Sequence, residues 1–198
     1  MGAKWRHFSK LARFLHEMKI ALSIASLSLL IVLTGPNRAE EQGKTSVVIT
    51  ASGVGPLNAG TPFKISAIAK LFPGLKVAAG VDMTEGMEFP TIEVIDSRGV
   101  LLEIVPVPNQ SVIYSVMTKR KEVLHRGRGQ IGSSYPEIFG AKLSKACSPG
   151  SEEMSDKLIC QAPESDSIHL VFGGLDSTSP SPAELKNMRI MEIYWTPK

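Results

Sequence analysis

The residues best suited to chemistry lie between Lys119 and Cys160. Gly127-x-Gly129-x-x-Gly132 has the spacing of a dinucleotide fingerprint, in which glycines bring backbone amides up to a pyrophosphate at a helix start. That chemistry also needs a buried strand running into the first glycine and an acidic residue about 20 positions on. Here the preceding stretch, Lys119-Arg120-Lys121 to His125-Arg126, is polar, and a cysteine-bearing loop follows. The three glycines therefore read as turn residues, and no cofactor is expected. The cations Lys119, Arg120, Lys121, Arg126 and Arg128 admit two readings. One is a solvated strand edge or linker between halves, where lysine discourages sheet-to-sheet aggregation. The sharper one is a docking surface for an anionic envelope component such as lipid head groups.

Catalytic constellations are thinner. Of the four histidines, His7 and His16 precede the apolar N-terminal run, His125 sits among cations and His169 lies in a strand pattern. A Ser-His-Asp site needs a nucleophile on a strained turn, and the sequence has no Gly-x-Ser-x-Gly. Asp82, Glu85, Glu88, Glu93 and Asp96 could supply the paired carboxylates of a hydrolase. Their spacing is met equally well by the wet face of strands. No metal site is expected, because no histidine neighbours Cys147 or Cys160 in sequence.

Those cysteines connect the chemistry to an address. Residues 1–35 hold Lys4, Arg6, Lys10, Arg13 and Lys19 against Glu17 alone, net +4, which leaves the rest of the +3 chain at −1. A nucleic-acid binder concentrates its positive charge in the folded part, so that class is disfavoured. The basic stretch is followed by the uncharged run Ile20–Leu33, 14 residues, the length of a secretory h-region and short of a comfortable bilayer span. Residues 1–35 are thus a signal peptide or an N-terminal anchor, with 19–34 as the membrane-facing part and Met18 as a second candidate start. Two cysteines in an exported chain read as one disulfide, Cys147–Cys160. Twelve residues lie between them, a loop whose closure contributes about 3 kcal/mol in the chain-entropy picture.

The elements that must position these residues begin after a breaker-rich linker, 36–46. Val47–Thr50 opens the fold as a strand. Thr61-Pro62 predicts a helix start, and Ile65, Ile68, Ala69 and Phe72 predict its buried stripe. Strands follow at 75–81 and 91–96, a turn at Asp96–Gly99, then strands at 100–105 and 112–117. The second half repeats the order. Ser134 and Glu137 form a capping box, Phe139 and Leu143 a short stripe, and strands follow at 158–160 and 167–172. Ser181–Glu184 caps a helical turn, and a closing strand carries Met191, Ile193 and Trp195 on one face. The expectation is an α+β domain over 47–198: two helix-plus-antiparallel-strand units, 47–118 and 124–198, forming a sheet with helices on one face and one disulfide.

Four stretches recur in a known order: Gly53–Pro62, Gly127–Phe139, the spaced pair Cys147 and Cys160, and Leu185-Lys186-Asn187-Met188 through Trp195. In this the chain, over roughly residues 50–198, resembles the sigma-E-regulated bacterial envelope lipoproteins, a family defined as a domain of unknown function. The resemblance implies a Gram-negative bacterium, a periplasmic face and attachment through a lipidated cysteine. Leu33-Thr34-Gly35 looks like the start of a lipobox, but Pro36 stands where the modified cysteine belongs.

Taken together, the expected function is that of a non-enzymatic periplasmic envelope protein, free or membrane-anchored, which binds another protein or an envelope surface. Binding of a small or lipidic anionic ligand between helices and sheet is the alternative, and an envelope hydrolase the third. The sequence sets no oligomeric state.

Overall fold

The computed structural model describes residues 47–84, 86–176 and 179–198. The expected leader or anchor, the linker 36–46, the second start at Met18 and Glu85 lie outside the described residues. The strands in chain order are β1 (Val48–Thr50), β2 (Gly53–Val54), β3 (Lys76–Thr84), β4 (Met87–Asp96), β5 (Gly99–Pro106), β6 (Ile113–Thr118), β7 (Leu124–His125), β8 (Cys147–Pro149), β9 (Lys157–Ala162), β10 (Ser165–Gly173) and β11 (Arg189–Trp195). The helices are α1 (Ile65–Leu71), α2 (Tyr135–Phe139) and α3 (Pro182–Asn187), with one 3-10 turn at Glu152–Met154.

The α+β expectation needs correcting toward β. An eight-stranded antiparallel sheet, ordered β3-β4-β5-β6-β11-β10-β9-β8, dominates, and a three-stranded sheet, β2-β1-β7, accompanies it. The helices have seven, five and six residues. Helices this short are marginal alone, so each is held by what it buries. Ile68 and Phe72 of the α1 region, Tyr135 and Ile138 of α2, and Leu185 and Met188 at α3 all join one core with Val94, Leu102, Ile104, Leu170, Phe172 and Trp195. Tyr135, Phe139 and Phe172 stack within it, with centroids 5.2 to 6.1 Å apart.

Local chemistry explains where the elements begin. Ser134 with Glu137 and Ser181 with Glu184 make the two capping boxes, each followed by proline in the first turn. Thr61 does not start α1. Its hydroxyl instead accepts the Asn58 N–H at 3.0 Å, and Pro62 bridges Val112, which holds the chain extended until Lys64. With the start delayed, Ile68, Leu71 and Phe72 face the core, while Ile65 is left 42% exposed.

A helix and four antiparallel strands occur twice, α1 with β3–β6 and α2 with β8–β11, the second set interrupted by the 3-10 turn and α3. In the first set the Ile113 N–H donates to Thr61 and the Phe63 N–H to Ser111; in the second, Ile190 donates to Ser133 and Tyr135 to Met188. The sets meet at β6 and β11. That pairing is symmetric about Met117–Tyr194, with Val116 opposite Trp195 and Thr118 opposite Ile193.

The closing strand departs from simple alternation. Val171 pairs with Glu192 but Phe172 with Ile190, so Met191 is the extra residue of a bulge and is turned out to solvent. Ile190, Ile193 and Trp195 are the buried set. The disulfide links Cys147 to Cys160 as a cross-strand pair of β8 and β9, with the Cys160 side chain fully buried.

Candidate functional site

Alternation along the strands sends one set of side chains into the helix-covered core and the other to the opposite face. Strand register puts Ala78, Glu93, Glu103, Met117, Tyr194, His169 and Gln161 in one row across that second face, from β3 to β9. Glu192 and Val171 lie in the next row. Met117 and Val171 are buried yet belong to no part of the core cluster. Glu192 is only 4% exposed. Asp82, on the edge strand β3, lies near enough for its charge to act on Glu103 of β5 and Tyr194 of β11. With Met117, Val171 and Glu192 buried on it, this face is partly shielded from solvent.

Two charge systems share this face. In the first, the Glu192 carboxylate accepts hydrogen bonds from Lys157 Nζ at 2.8 Å and the Tyr194 hydroxyl at 2.7 Å, with Lys119 Nζ at 3.7 Å. Burial alone would raise the Glu192 carboxyl. The hydrogen bonds from Lys157 and Tyr194 and the charges of Lys119 and Lys157 outweigh it and hold the group below the usual carboxylate range. Burial and the bond given to Glu192 push the Tyr194 hydroxyl far up. In the second system, burial first and then the Asp82 and Glu93 charges raise the Glu103 carboxyl, only partly offset by Lys119. His169, half-buried in the same row, is held toward its neutral form by burial.

Between the two systems is a groove of about 240 Å³ lined by Val100, Leu101, Glu103, Met117, Thr118 and Lys119. Its floor is apolar and its rim carries one carboxyl and one ammonium group. Among the described residues no group of three or more His, Cys, Asp or Glu side chains is arranged to hold a metal ion.

Two of the five cations of the expected basic surface are engaged by carboxylates. Lys119 leans on Glu192. Arg120, 17% exposed, makes a bidentate pair with Asp96 at 3.2 and 3.1 Å and bonds Glu122 at 3.1 Å, bracing the β4–β5 turn. Lys121, Arg126 and Arg128 are exposed, and the Arg128 amide donates to Glu164.

The glycine motif has a packing role. A Cβ on Gly127 would fall on the Glu164 carboxylate, and one on Gly129, at φ +92°, would lie 2.6 Å from Ile138 and 2.8 Å from Ile190. His125 is fully buried rather than solvated among cations. Its Nδ1 is 3.1 Å from the Gly129 carbonyl and its Nε2 is 3.0 Å from Glu164, too poorly aligned there for a hydrogen bond.

Of the residues singled out from sequence, the row unites Glu93 and His169 and brings Asp82 to Glu103, while Asp96 is taken up by Arg120. Glu103, Tyr194, Glu192 and Lys157 were not singled out. The available signal was a polar residue at alternate positions of otherwise apolar runs, Leu101-Leu102-Glu103-Ile104-Val105 and Met191-Glu192-Ile193-Tyr194-Trp195.

Fold and family agree on the class. Residues 41–197 match the family described as protein of unknown function DUF1131, and the chain belongs to that family. Its fold is similar to that in the crystal structure of the uncharacterized protein YfeY from Escherichia coli, with a TM-score of 0.63 and 23% identity, covering 77% of this chain and 99% of that one. At that identity the likeness shows the fold. No curated protein matches.

Proposed function

We propose that the chain is a non-enzymatic binding protein of a Gram-negative cell envelope that works on the periplasmic side and recognises another protein through the groove beside Glu103. The observation that carries this reading is the Glu103 carboxyl itself. It is kept half-buried beside Asp82 and Glu93, an arrangement that costs stability and that packing alone does not require. Such a group is best compensated by a cation brought by a partner.

Size supports a protein partner. Pockets for whole small molecules run about 300–1,000 Å³, and this groove, at about 240 Å³, is matched to a single side chain. An anionic small ligand finds less to hold it, because Asp82, Glu93, Glu103 and Glu192 outnumber Lys119 and Lys157 on the face. The helix-to-sheet space is filled by Val94, Leu102, Ile104 and Trp195.

The disulfide and the basic-then-apolar N-terminus support export. With Pro36 in place of a lipobox cysteine, attachment falls to residues 19–34, and kinship to sigma-E-regulated envelope lipoproteins is one of family, not of lipidation. The same reading takes 47–118 and 124–198 as two copies of one unit.

The test is a photo-crosslinking residue at Met117 in the full chain, irradiated in the envelope of living cells. The expected result is a discrete protein adduct whose contact peptide carries lysine or arginine, lost on Glu103→Lys. Adducts to lipid alone, or an adduct indifferent to Glu103→Lys, would overturn the proposal.

A further inference from the structure

The two ends of the eight-stranded sheet are treated differently. The β8 end has three residues, is tied to β9 by the disulfide, and includes Pro149, which has no N–H to offer. The β3 end has nine residues, Lys76-Val77-Ala78-Ala79-Gly80-Val81-Asp82-Met83-Thr84, without proline. Open edges of this length are templates for another strand, and proteins ordinarily blunt them.

The register says which groups are free. Thr84 pairs with Met87 across a two-residue connection, and such a closing pair must be of the hydrogen-bonded kind. Pairing then runs without a shift to Lys76–Ile95, so the even-numbered residues of β3 bond β4. Val77, Ala79, Val81 and Met83 turn their amides and carbonyls outward. The Met83 N–H is taken by the Asp82 carboxylate at 2.8 Å and the Leu75 N–H by the Phe72 carbonyl at 3.1 Å, which closes both ends of the row. Between them, Val77, Ala79 and Val81 have no backbone partner on that side among the described residues. Ala79 and Asp82 are exposed, Val81 is 67% exposed, and Lys76 stands in solvent.

From this we infer that β3 is the interface for a second copy of the same chain, paired antiparallel about a two-fold axis at Ala79. Only outward-facing residues can exchange hydrogen bonds, which restricts the register. With Ala79 opposite Ala79 of the second copy, Val77 meets Val81 on one face and Lys76 meets Asp82 on the other, both twice by symmetry. Moving the axis to Ala78 or Gly80 keeps the hydrogen bonds but separates Lys76 from Asp82. The self-complementary charge pair selects the copy over an arbitrary extended peptide, and the Asp82 residue is exposed while its carboxylate accepts from the Met83 N–H. The blocked β8 edge keeps the assembly closed, since β3-to-β8 pairing would grow a filament. Edge pairing of β6 with β11 about Met117–Tyr194 joins the two strand sets inside each chain in the same manner.

The test is sedimentation equilibrium of the full-length protein, with far-UV circular dichroism to confirm folding. A concentration-dependent monomer–dimer equilibrium is expected. Ala79→Pro, which removes an outward N–H and no bond to β4, should leave a folded monomer. Lys76→Asp should weaken the dimer about tenfold, two exposed cross-strand ion pairs being lost at once, and adding Asp82→Lys should restore it. Ala79→Cys should crosslink to its own copy under mild oxidation. A monomer at every concentration reached, a dimer unaffected by Ala79→Pro, or a heterologous peptide held on β3 would each overturn the inference.

Discussion

Replacing Glu192 by glutamine should destabilise the protein by about 3 kcal/mol at neutral pH, at the low end for breaking a buried ion pair. The low end follows from the partners. Lys157 keeps 18% of its side chain in solvent and Lys119 keeps 61%, so Lys119 contributes within the range of a surface pair while Lys157 is left largely buried without its counter-charge. The amide still accepts from Tyr194, so that bond survives in weaker form. Pairing Glu192→Gln with Lys157→Met in a double-mutant cycle should give a coupling of about 2 kcal/mol. The sign with pH is fixed. The folded protein holds the Glu192 carboxyl below its ordinary value near 4.5, so its contribution is complete above that value and disappears as pH falls through the lowered one. Urea unfolding, followed by circular dichroism and by the buried Trp195, should show wild type and Glu192→Gln converging as the solution is acidified. Additive effects in the cycle, or a stability gap unchanged from about pH 7 to about pH 3, would refute the reasoning.

Two further outcomes test the face around Glu103 and the glycine loop. Glu103→Gln should raise the urea midpoint at neutral pH, because the folded state raises this carboxyl and ionisation weakens folding as pH climbs through the shifted value; the advantage should vanish in acid, and an unchanged midpoint would contradict it. Gly129→Ala should cost about 2–3 kcal/mol, from the positive φ together with contact on Ile138 and Ile190, whereas Gly132→Ala, at φ +93° in more open space, should cost about 1 kcal/mol; equal losses in thermal unfolding would contradict the packing role.

What the sequence revealed was mostly local. Ser134 with Glu137 and Ser181 with Glu184 announce their helices because a cap is written in adjacent residues. The turn at Asp96–Gly99 is legible for the same reason, with the Arg98 N–H donating to the Asp96 side chain at 2.7 Å. The disulfide follows from a count and a compartment. Non-local competition was not legible. Thr61-Pro62 has the chemistry of a helix start and is captured by an isolated bridge more than 40 residues away, at Val112. The bulge at Met191 is set by pairing with β10, which strand alternation within β11 does not reveal. The row from Glu93 to Gln161 was hidden because it is made by register across five strand pairings. No segment contains it.

An oxidised body working outside the cytoplasm is tested most directly by the state of Cys147 and Cys160 in living cells. Alkylation of intact cells, followed by reduction and a second alkylation with a heavier reagent, should find both residues in the second class, and their joint replacement by alanine should cost about 3 kcal/mol in urea unfolding. Both thiols labelled in the first step, in protein that is folded and carries no penalty for the double replacement, would contradict the placement of this chain in the envelope.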